Sequence, residues 1–363
     1  MIKTLKLKVK KPYYKRLNRL APEVNFVWNY INGLSYYMIR NYKRFLSAYD
    51  MHRYLSGACK SGLNISHHTL QAIAENYCTR RLQYKKSRMR WRSKKSLGWL
   101  PFRADKIRYK KGYFQYSLAC KVKVFDSYGL ENYNLRSGSF NQDSKGDWYL
   151  NVAVEVPEAP VHPKPTVEIG IDLGLKDFAT LSNGEKIESQ QFYRDLEPKI
   201  AMAQRANKKG LVKSLHKKVQ NRRKDFLHKL SNRLTRENSK IFVGNVSGAR
   251  LAKTKMAKSV LDAGWSQFRT MLEYKAIRRQ VQFKVVNEAY TSVTCSSCNG
   301  RTGPSGLGEL RIREWTCSAC GSVHDRDINA AKNILALGHQ SLAEGASKED
   351  MPITGHQHLV GAY

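Results

Sequence analysis

The first 157 residues change from a strand pattern to a helical pattern and back to strands. Residues 3–9 alternate lysine with apolar residues, which predicts an edge strand. From about residue 15 to residue 91 the apolar positions recur at helical spacing. One predicted helix has an apolar face formed by Leu20, Val24, Val27, Trp28, Ile31 and Leu34. A second predicted helix runs through Leu70, Ile73, Tyr77 and Arg81.

Residues 100–157 show the alternation that is typical of strands. Residues 113–120 predict one strand, and residues 146–156 predict another. The inward face of the second strand would be formed by Trp148, Leu150, Val152, Val154 and Val156. Residues 157–165 then contain four prolines, so we expect a stiff linker between two parts of the chain.

After the linker, the pattern predicts a β-hairpin with an aspartate near its bend. Apolar residues alternate over 167–171, and Asp172 follows with a glycine two residues later. Residues 178–182 predict a second strand, which ends at an Asn-Gly turn at residues 183–184. The carboxylate of Asp172 would therefore lie at the end of a buried strand.

A long basic helical stretch connects this hairpin to a short apolar strand at residues 241–243. The apolar stripe of the helix, predicted to be core, consists of Leu211, Leu215, Val219, Phe226, Leu230 and Leu234. The other faces are almost entirely positive and carry Lys213, Lys217, Lys218, Arg222, Arg223, Lys224 and Arg233. A charge run is usually a solvated face, but its single sign favours contact with an RNA or heteroduplex backbone.

Two Cys-x-x-Cys pairs lie towards the C-terminal end of the chain. The pairs Cys295 with Cys298 and Cys317 with Cys320 have the spacing of a tetrahedral four-thiolate zinc site. Asp327 follows shortly afterwards, just before an Asn-Ala-Ala run that predicts a helix. Its carboxylate could hold a metal ion beside the cysteines, cap the helix, or do both.

The charge of the chain favours a polyanionic partner. There are 64 Lys and Arg residues against 29 Asp and Glu residues, which gives a formal net charge of +35. No run of 18 apolar residues occurs, and the first residues lack the apolar core of a signal peptide. We therefore expect a soluble intracellular protein that binds nucleic acid.

Two further sets of residues are candidates for nucleic-acid contact. The first set interleaves aromatic residues with cations, which suits backbone contact combined with base stacking, although a disordered basic linker is the alternative. It comprises Tyr84, Lys85, Lys86, Arg88, Arg90, Trp91, Arg92, Lys94 and Lys95. The second set lies near the second predicted helix and could read a short DNA motif beside a target, although polar helix faces are common. It comprises His67, His68, Gln71 and Asn76.

The order of these features resembles the TnpB family, the RNA-guided nucleases of bacterial insertion sequences that are related to compact type V CRISPR effectors. The resemblance is close over about residues 165–338 and looser before them. Its landmarks are the segments 221–229, 263–265, 272–276, 290–292, 301–304, 313–315 and 324–327. The implied partners are a transposon-type guide RNA and a target double-stranded DNA, in the bacterial cytoplasm and without a membrane.

The resemblance also implies an α+β multidomain fold. Residues 161–290 and 322–338 would form a RuvC or RNase H-like α/β domain, with residues 291–321 inserted as a zinc ribbon. A β-rich wedge domain would combine residues 1–13 with residues 92–160, so that the first strand joins the later strands. The remaining segments are a helical recognition lobe at residues 14–91 and a disordered tail at residues 339–363.

The RuvC site of the family holds two magnesium ions with an Asp, a Glu and a second Asp. The resemblance places the aspartates at Asp172 and Asp327 and the glutamate at the end of the strand 241–243, where this chain has Gly244. Two-metal phosphodiester hydrolysis needs its carboxylates, and glycine offers no ligand. The sequence therefore predicts an inactivated nuclease with vestigial aspartates, a structural zinc and no functional magnesium.

The resulting prediction is a TnpB-like nuclease-dead repressor that occupies DNA under the guidance of RNA. One alternative is an active TnpB-type endonuclease with a displaced catalytic glutamate, for which Glu237 is the nearest candidate; another is an engineered substitution at Gly244. A single-strand transposase needs a His-hydrophobic-His pair, which the segment His356-Gln-His358 does not supply. A protein-only zinc-ribbon DNA binder would not need so large a basic surface.

Overall fold

The computed structural model describes residues 2–104, 107–117, 120–157, 165–246, 248–251, 256–306, 309 and 311–349. The chain divides into two compact units, Met1–Glu158 and Ala159–Tyr363. Each unit contains both helices and a sheet, so the mixed α+β class predicted from the sequence is confirmed. Most of the predicted proline linker, residues 158–164, lies outside the described residues.

The first unit begins with a strand and three helices. These elements are β1 (Ile2–Lys8), α1 (Tyr14–Tyr42), α2 (Ala48–Tyr54) and α3 (His67–Tyr84). The face of α1 predicted to be apolar is buried from Leu20 to Ile31, and Trp28 packs edge-on against Tyr77 of α3 at 5.3 Å between ring centroids. Helical periodicity alone predicted the burial of these side chains correctly, because they share one face of the helix and pack against the same core.

The strands of the first unit form two sheets. They are β2 (Trp99–Phe102), β3 (Arg108–Lys110), β4 (Tyr113–Ser117), β5 (Cys120–Lys123), β6 (Asn134–Gln142) and β7 (Trp148–Glu155). A four-stranded antiparallel sheet has the order β1-β7-β6-β2, and β3, β4 and β5 form a second sheet. The predicted edge strand is confirmed, since β1 pairs with β7 through Leu5 opposite Val152. The segment predicted as one strand over 113–120 is instead β4 and the start of β5, because the chain reverses there to form a hairpin.

The second unit is built on a five-stranded mixed sheet. Its elements are β8 (Glu168–Leu173), β9 (Asp177–Leu181), β10 (Lys186–Glu188), α4 (Glu197–Arg205), α5 (Lys209–Glu237), β11 (Lys240–Gly244), α6 (Gly248–Leu251), α7 (Ala257–Ala263), α8 (Trp265–Arg279), β12 (Gln282–Val286), β13 (Glu314–Thr316), β14 (Val323–Asp325) and α9 (Arg326–Glu349). The strand order is β10-β9-β8-β11-β12. The first three strands pair antiparallel, whereas β11 runs parallel to both β8 and β12.

Helix α9 lies directly against the sheet, and two glycines make this close approach possible. A Cβ at Gly170 of β8 would lie 2.2 Å from the Ala331 carbonyl oxygen, and one at Gly338 of α9 would lie 2.1 Å from the Phe242 ring. The helix continues to Glu349, into the segment 339–363 that the sequence predicts as a disordered tail. The rest of that segment, residues 350–363, lies outside the described residues. Leu342 packs against the cluster that contains Phe242, which gives this part of the helix a buried face.

Helix α5 has a shorter apolar stripe than the sequence indicated. Val219, Leu230 and Leu234 are buried as predicted, but Leu211 is 48% exposed. Leu211 lies in the first turn of the helix, whereas the main core of this unit contacts its C-terminal half through Leu227, Leu230 and Leu234. Among the described helices, none has both the length and the apolar character needed to cross a bilayer.

Candidate active site and metal centre

Three carboxylates come together at one end of the mixed sheet. Asp172 lies near the end of β8, Glu288 follows the end of β12, and Asp327 is the second residue of α9. All three line one cavity of about 330 Å³. Asp325, and not Asp327, caps the helix, since its Oδ1 accepts the backbone N–H groups of Asp327 and Ile328 at 3.0 Å each. The Asp327 side chain is therefore available to the cavity.

Glu288 fills the space that a side chain at position 244 would need. Gly244 is paired in parallel with Val286, two residues before Glu288. A Cβ at Gly244 would lie 2.3 Å from Glu288 Oε2 and 3.3 Å from Glu288 Cβ. The neighbouring strand thus delivers a carboxylate to the place where the family pattern expects the side chain of residue 244.

Sequence reasoning missed Glu288, although a signal was present. The segment Val285-Val286-Asn287-Glu288 is a second apolar strand end that is followed by an amide and an acidic residue, in the reverse order of the family pattern. The candidate that the sequence suggested, Glu237, ends α5 and forms ion pairs with Arg233 and Arg236. Glu237 is not among the described residues that line the cavity.

Burial and the neighbouring carboxylates disfavour the charged form of Asp172. Burial, followed by the charges of Glu288 and Asp327, raises the pKa of Asp172 to about 7. Burial also raises the pKa of Glu288, against the opposing effects of the Val246 backbone N–H and of Arg269. Oε2 of Glu288 is buried and has no hydrogen-bond partner among the described residues. An added cation would reduce the repulsion of Asp172 by Glu288 and Asp327, and it would give Oε2 of Glu288 a partner.

Two arginines add positive charge to the same cavity. Arg313, which comes directly before β13, donates from Nη1 to both carboxylate oxygens of Asp327 at 3.1 and 3.0 Å. The buried Arg326 donates to the Glu309 carbonyl at 2.9 Å. The donor set of three carboxylates is that of a site for hard divalent cations such as Mg²⁺, because such ions prefer oxygen ligands. Among the described residues, the side chains close enough together to hold a metal ion as they stand are the four cysteines. The three carboxylates therefore suit the metal ions that the resemblance implies by the type of their donor atoms.

The four predicted zinc ligands form a compact cluster. The Sγ atoms of Cys295, Cys298, Cys317 and Cys320 all lie within 4.8 Å of one another. Two of the separations, Cys295 to Cys320 and Cys298 to Cys317, are 3.7 Å. A tetrahedral zinc ion with bonds of about 2.3 Å gives sulfur separations of about 3.8 Å. The cluster therefore fits a metal ion such as zinc.

The two cysteine turns have the same backbone geometry. The N–H of Cys295 donates to the Gly300 carbonyl at 2.8 Å, and the N–H of Cys317 donates to the Ser322 carbonyl at 2.9 Å. In each turn the fourth residue after the first cysteine has a positive φ, 63° at Asn299 and 71° at Gly321. Asparagine and glycine tolerate this conformation better than most residues do. The repeated turn aims the sulfurs of both pairs at one point.

Two buried asparagines of α9 connect the cysteine cluster to the carboxylates. The amide Nδ2 groups of Asn329 and Asn333 each donate to the carbonyls of Thr291 and Thr294, at distances of 2.7–3.2 Å. Asn329 Oδ1 also accepts the backbone N–H of Ser296 at 2.8 Å. The clamped segment follows Glu288 and contains Cys295. The sequence singled out neither asparagine as a site residue.

Two family models match the part of the chain that contains this site. The family model described as "Probable transposase" matches residues 151–255, and the model described as "Cas12f1-like, TNB domain" matches residues 265–334. These two segments are what the chain shares with those families. The matched segments contain Asp172, Glu288, Asp327 and the four cysteines.

The names of two relatives describe RNA-guided DNA endonucleases. A Streptomyces pristinaespiralis protein named "Putative RNA-guided DNA endonuclease" is 38% identical over 219 residues, 56% of this chain and 53% of that protein. "Putative RNA-guided DNA endonuclease InsQ" of Escherichia coli K12 is 30% identical over 231 residues, 56% of each protein. The chain thus spans about half the length of these relatives. A solved Cas12f1–sgRNA–target DNA complex aligns with 92% of this chain and 99% of its own chain, at 17% identity and a TM-score of 0.38.

The second unit exposes only part of the basic surface predicted on α5. Lys213, Lys218 and Arg222 are exposed. Arg223 is half-buried and donates from Nη2 to Asp262 at 2.7 Å, so its guanidinium is used inside the protein. Lys217 is also half-buried. The outward positive charge of this helix therefore comes from fewer residues than predicted.

In the first unit, the predicted readers of a flanking motif occupy the start of α3. His67 is exposed, and its Nε2 lies 3.1 Å from Gln71 Nε2, while Gln71 Oε1 accepts from Arg103 at 3.1 Å. The His68 ring lies beside the His67 ring, at 4.8 Å between centroids. Asn76 donates to the Ala72 carbonyl of its own helix at 2.8 Å. A role of these residues in reading DNA stays a prediction.

The basic segment after α3 is ordered by contacts with α1. The Arg92 guanidinium donates to Asn25 Oδ1 at 2.6 Å and to the Leu97 carbonyl at 2.8 Å, and it lies 5.3 Å from the Trp99 ring. Arg92 therefore has a structural role within this unit, unlike the exposed cations around it. The alternative of a disordered linker does not describe this segment.

Proposed function

We propose that this chain is an RNA-guided DNA endonuclease of the TnpB type whose third catalytic carboxylate is Glu288. One observation carries the proposal: Glu288 Oε2 lies in the space that a side chain at Gly244 would occupy. The sheet order β10-β9-β8-β11-β12 supports the RNase H-like frame in which such carboxylates meet. The names of the relatives support an RNA guide and a DNA target.

The residues of the cavity have separable roles in this proposal. Asp172, Glu288 and Asp327 would hold the metal ions, and the buried unpaired Oε2 of Glu288 provides an oxygen that nothing else in the described protein uses. Bound divalent ions would lower the pKa of a water nucleophile and neutralise charge on the attacking and leaving oxygens. Arg313 orients Asp327, and together with Arg326 it would attract the phosphodiester to the cavity.

This proposal favours the displaced-glutamate alternative over the nuclease-dead repressor that Gly244 suggested. The prediction of inactivity depended on a missing side chain in β11, but the position of a carboxylate matters more than the strand that supplies it. Occupancy of DNA without cleavage stays a prediction, and its experimental signature differs from that of an endonuclease.

The test uses the full-length protein with its copurifying RNA, a matched DNA duplex, and magnesium or manganese. Wild-type protein should cut in a guide-dependent manner. Glu288→Gln should lower the cleavage rate by more than about 100-fold, because even outer-shell losses at metal sites cost roughly 10–100-fold. Glu237→Gln is the matched control and should cut like the wild type, since Glu237 is engaged with arginines at the end of α5.

Two outcomes would contradict the proposal. Binding of the matched duplex by the wild type without nicking of either strand would support the repressor instead. Full cleavage by Glu288→Gln would show that the third carboxylate lies elsewhere. Loss of cleavage must be accompanied by unchanged duplex binding, because that combination separates a chemical defect from a folding defect.

A further inference from the structure

A row of exposed aromatic rings runs along one face of α1. Phe26, Tyr30 and Tyr37 are 64%, 45% and 53% exposed and occupy helix positions i, i+4 and i+11. The missing position of this face, i+7, is Gly33, and Cη2 of Trp91 lies 3.8 Å from where its Cβ would be. Trp91, itself 47% exposed, thus completes the row from a different part of the chain.

The length of this aromatic row suits a short stretch of unpaired nucleotides. A helix rises 1.5 Å per residue, so the row extends about 16 Å from Phe26 to Tyr37 in steps of about 4.5–6 Å. One stacked nucleic-acid strand places a phosphate about every 3.4 Å, so the row can accompany roughly five nucleotides. Exposed rings at such intervals are the platform on which unpaired bases stack.

The segment that contributes Trp91 is held by its backbone. We call residues 85–97, between α3 and β2, the basic strap. Asn32 of α1 exchanges two hydrogen bonds with the Met89 backbone, at 2.8 and 2.9 Å. Asn29 does the same with the Arg92 backbone, at 2.8 Å for each bond. Trp28 Nε1 donates to the Arg90 carbonyl at 3.1 Å. Because these bonds use main-chain atoms, most strap side chains face solvent.

The exposed side chains of the strap are mainly cations. The exposed cations are Lys85, Lys86, Arg88, Arg90, Lys94 and Lys95. No carboxylate of the described residues forms an ion pair with them. The Arg88 guanidinium lies 5.3 Å from the Trp91 ring and 5.1 Å from the Tyr36 ring. An open groove of about 720 Å³ is lined by Tyr84, Lys86, Arg88, Met89, Arg90 and Trp91.

This arrangement selects a single-stranded polyanion over other partners. A second copy of the chain would present the same positive charge and would be repelled. A DNA duplex keeps its base faces stacked inside and could use the cations but not the rings. An unpaired strand offers both phosphates and base faces. Tyr30 and Tyr84 add phenolic hydroxyls, which can hydrogen-bond a ribose 2′-hydroxyl. The Tyr37 hydroxyl is hydrogen-bonded to Tyr42.

We propose that the aromatic row and the basic strap bind unpaired nucleotides of an RNA strand, by stacking on Tyr30, Trp91 and Tyr37. The choice of RNA over DNA rests on the proposed RNA-guided function together with the tyrosine hydroxyls. The asparagines of α1 preorganise the strap, so ordering it costs little at the moment of binding. The site would therefore hold RNA before any DNA target is engaged.

The test measures binding of a labelled 12-nucleotide uridine RNA to full-length protein, without metal and without cleavage. Trp91→Ala should weaken binding about tenfold, which is the scale of one lost stacking contact, while Trp91→Phe should retain most of the affinity. The double variant Tyr30→Ala with Tyr37→Ala should weaken it at least as much. Tyr128→Ala, at a tyrosine that is 44% exposed in a loop of the same unit, is the matched control and should bind normally.

The outcomes distinguish this site from its alternatives. Unchanged RNA affinity in both aromatic variants, with intact thermal unfolding, would overturn the proposal. Tighter binding of the matching thymidine DNA strand than of the RNA would overturn the choice of RNA. Because the assay needs no hydrolysis, Glu288→Gln should bind the RNA as the wild type does. If the protein does not cleave DNA, the result of the RNA-binding assay still stands. If the aromatic variants bind RNA normally, the result of the cleavage assay still stands.

Discussion

The position of one carboxylate decides how Gly244 is interpreted. A glycine at the end of β11 indicates a lost ligand when the strand is considered alone. In the folded unit the Glu288 side chain enters the same space from β12, and no room remains for a second side chain. The absence of a side chain at Gly244 is therefore what leaves room for the Glu288 side chain.

Exchanging the two residues should move the carboxylate back to β11. Gly244→Glu combined with Glu288→Gly should recover at least about a tenth of the wild-type cleavage rate, because the carboxylate group returns to nearly the same space. Gly244→Glu alone should impair the protein, since its Cβ would lie 2.3 Å from Glu288 Oε2. Guide-dependent cleavage of a matched duplex is the measurement. A double variant as inactive as Glu288→Gln would show that strand β12 itself is required.

At the scale of elements, the approach of α9 to the sheet positions Asp327. The helix is as close as glycine permits at Gly170 and Gly338, and it carries the asparagines that clamp the segment after Glu288. Two of the three carboxylates therefore depend on where this helix lies.

Gly338→Ala should lower the free energy of unfolding by about 1–3 kcal/mol, because the new methyl group would lie 2.1 Å from the Phe242 ring and force a shift in a packed core. Chemical denaturation monitored by circular dichroism measures the change. Gly210→Ala, in helix α5, is the control: nothing lies within 4 Å of its Cβ position, and alanine favours a helix. Equal stability of the Gly338→Ala variant and the wild type would contradict the packing described for α9.

At the scale of the whole molecule, the cysteine cluster and the carboxylate cavity share one frame. Residues 288–295 begin with the carboxylate of Glu288 and end with Cys295. Arg313, which donates to Asp327, comes directly before the strand that leads to Cys317. A metal ion on the four sulfurs would thus stabilise the segment that carries Glu288.

Cys317→Ser should remove the bound metal and loosen the segment around Glu288. Elemental analysis should find about one zinc ion per wild-type chain and much less in the variant. Amide hydrogen exchange over residues 288–300 should become faster in the variant, because the clamp would lose one of its anchors. Cys59→Ser, at a cysteine outside the cluster, should change neither measurement. Freshly purified wild-type protein without zinc would contradict the assignment.

The net charge of +35 should appear as a strong dependence of RNA binding on salt. Replacing the exposed residues Lys213, Lys218 and Arg222 with glutamine should reduce the slope of log affinity against log salt by about 2–3, at roughly 0.7–0.9 per phosphate contact. Affinity measured from low to physiological salt tests this. Lys229→Gln is the control, because Lys229 pairs with Asp225 on the same helix. An unchanged slope in the triple variant would assign these residues to a solvated helix face.

The sequence by itself determined the features that depend on local chemistry. Apolar periodicity placed α1, α3, β7 and the strand around Ile241, because the burial of a face repeats with the period of the element. Cysteine spacing predicted the cluster, because two short turns must each supply two sulfurs. Asp172 and Asp327, which line the cavity, were predicted from motifs that are continuous in the chain.

Only the tertiary structure decided the features that depend on neighbours distant in sequence. Glu288 replaces a side chain at Gly244 because β11 and β12 pair in parallel, and no local pattern states which strands are adjacent. Arg92 and Arg223 turned inward because Asn25 and Asp262 were close enough to bind them. Trp91 joined the aromatic row because a glycine of another element left it room. In each case the partner of a residue, and therefore its role, was fixed by packing across the fold.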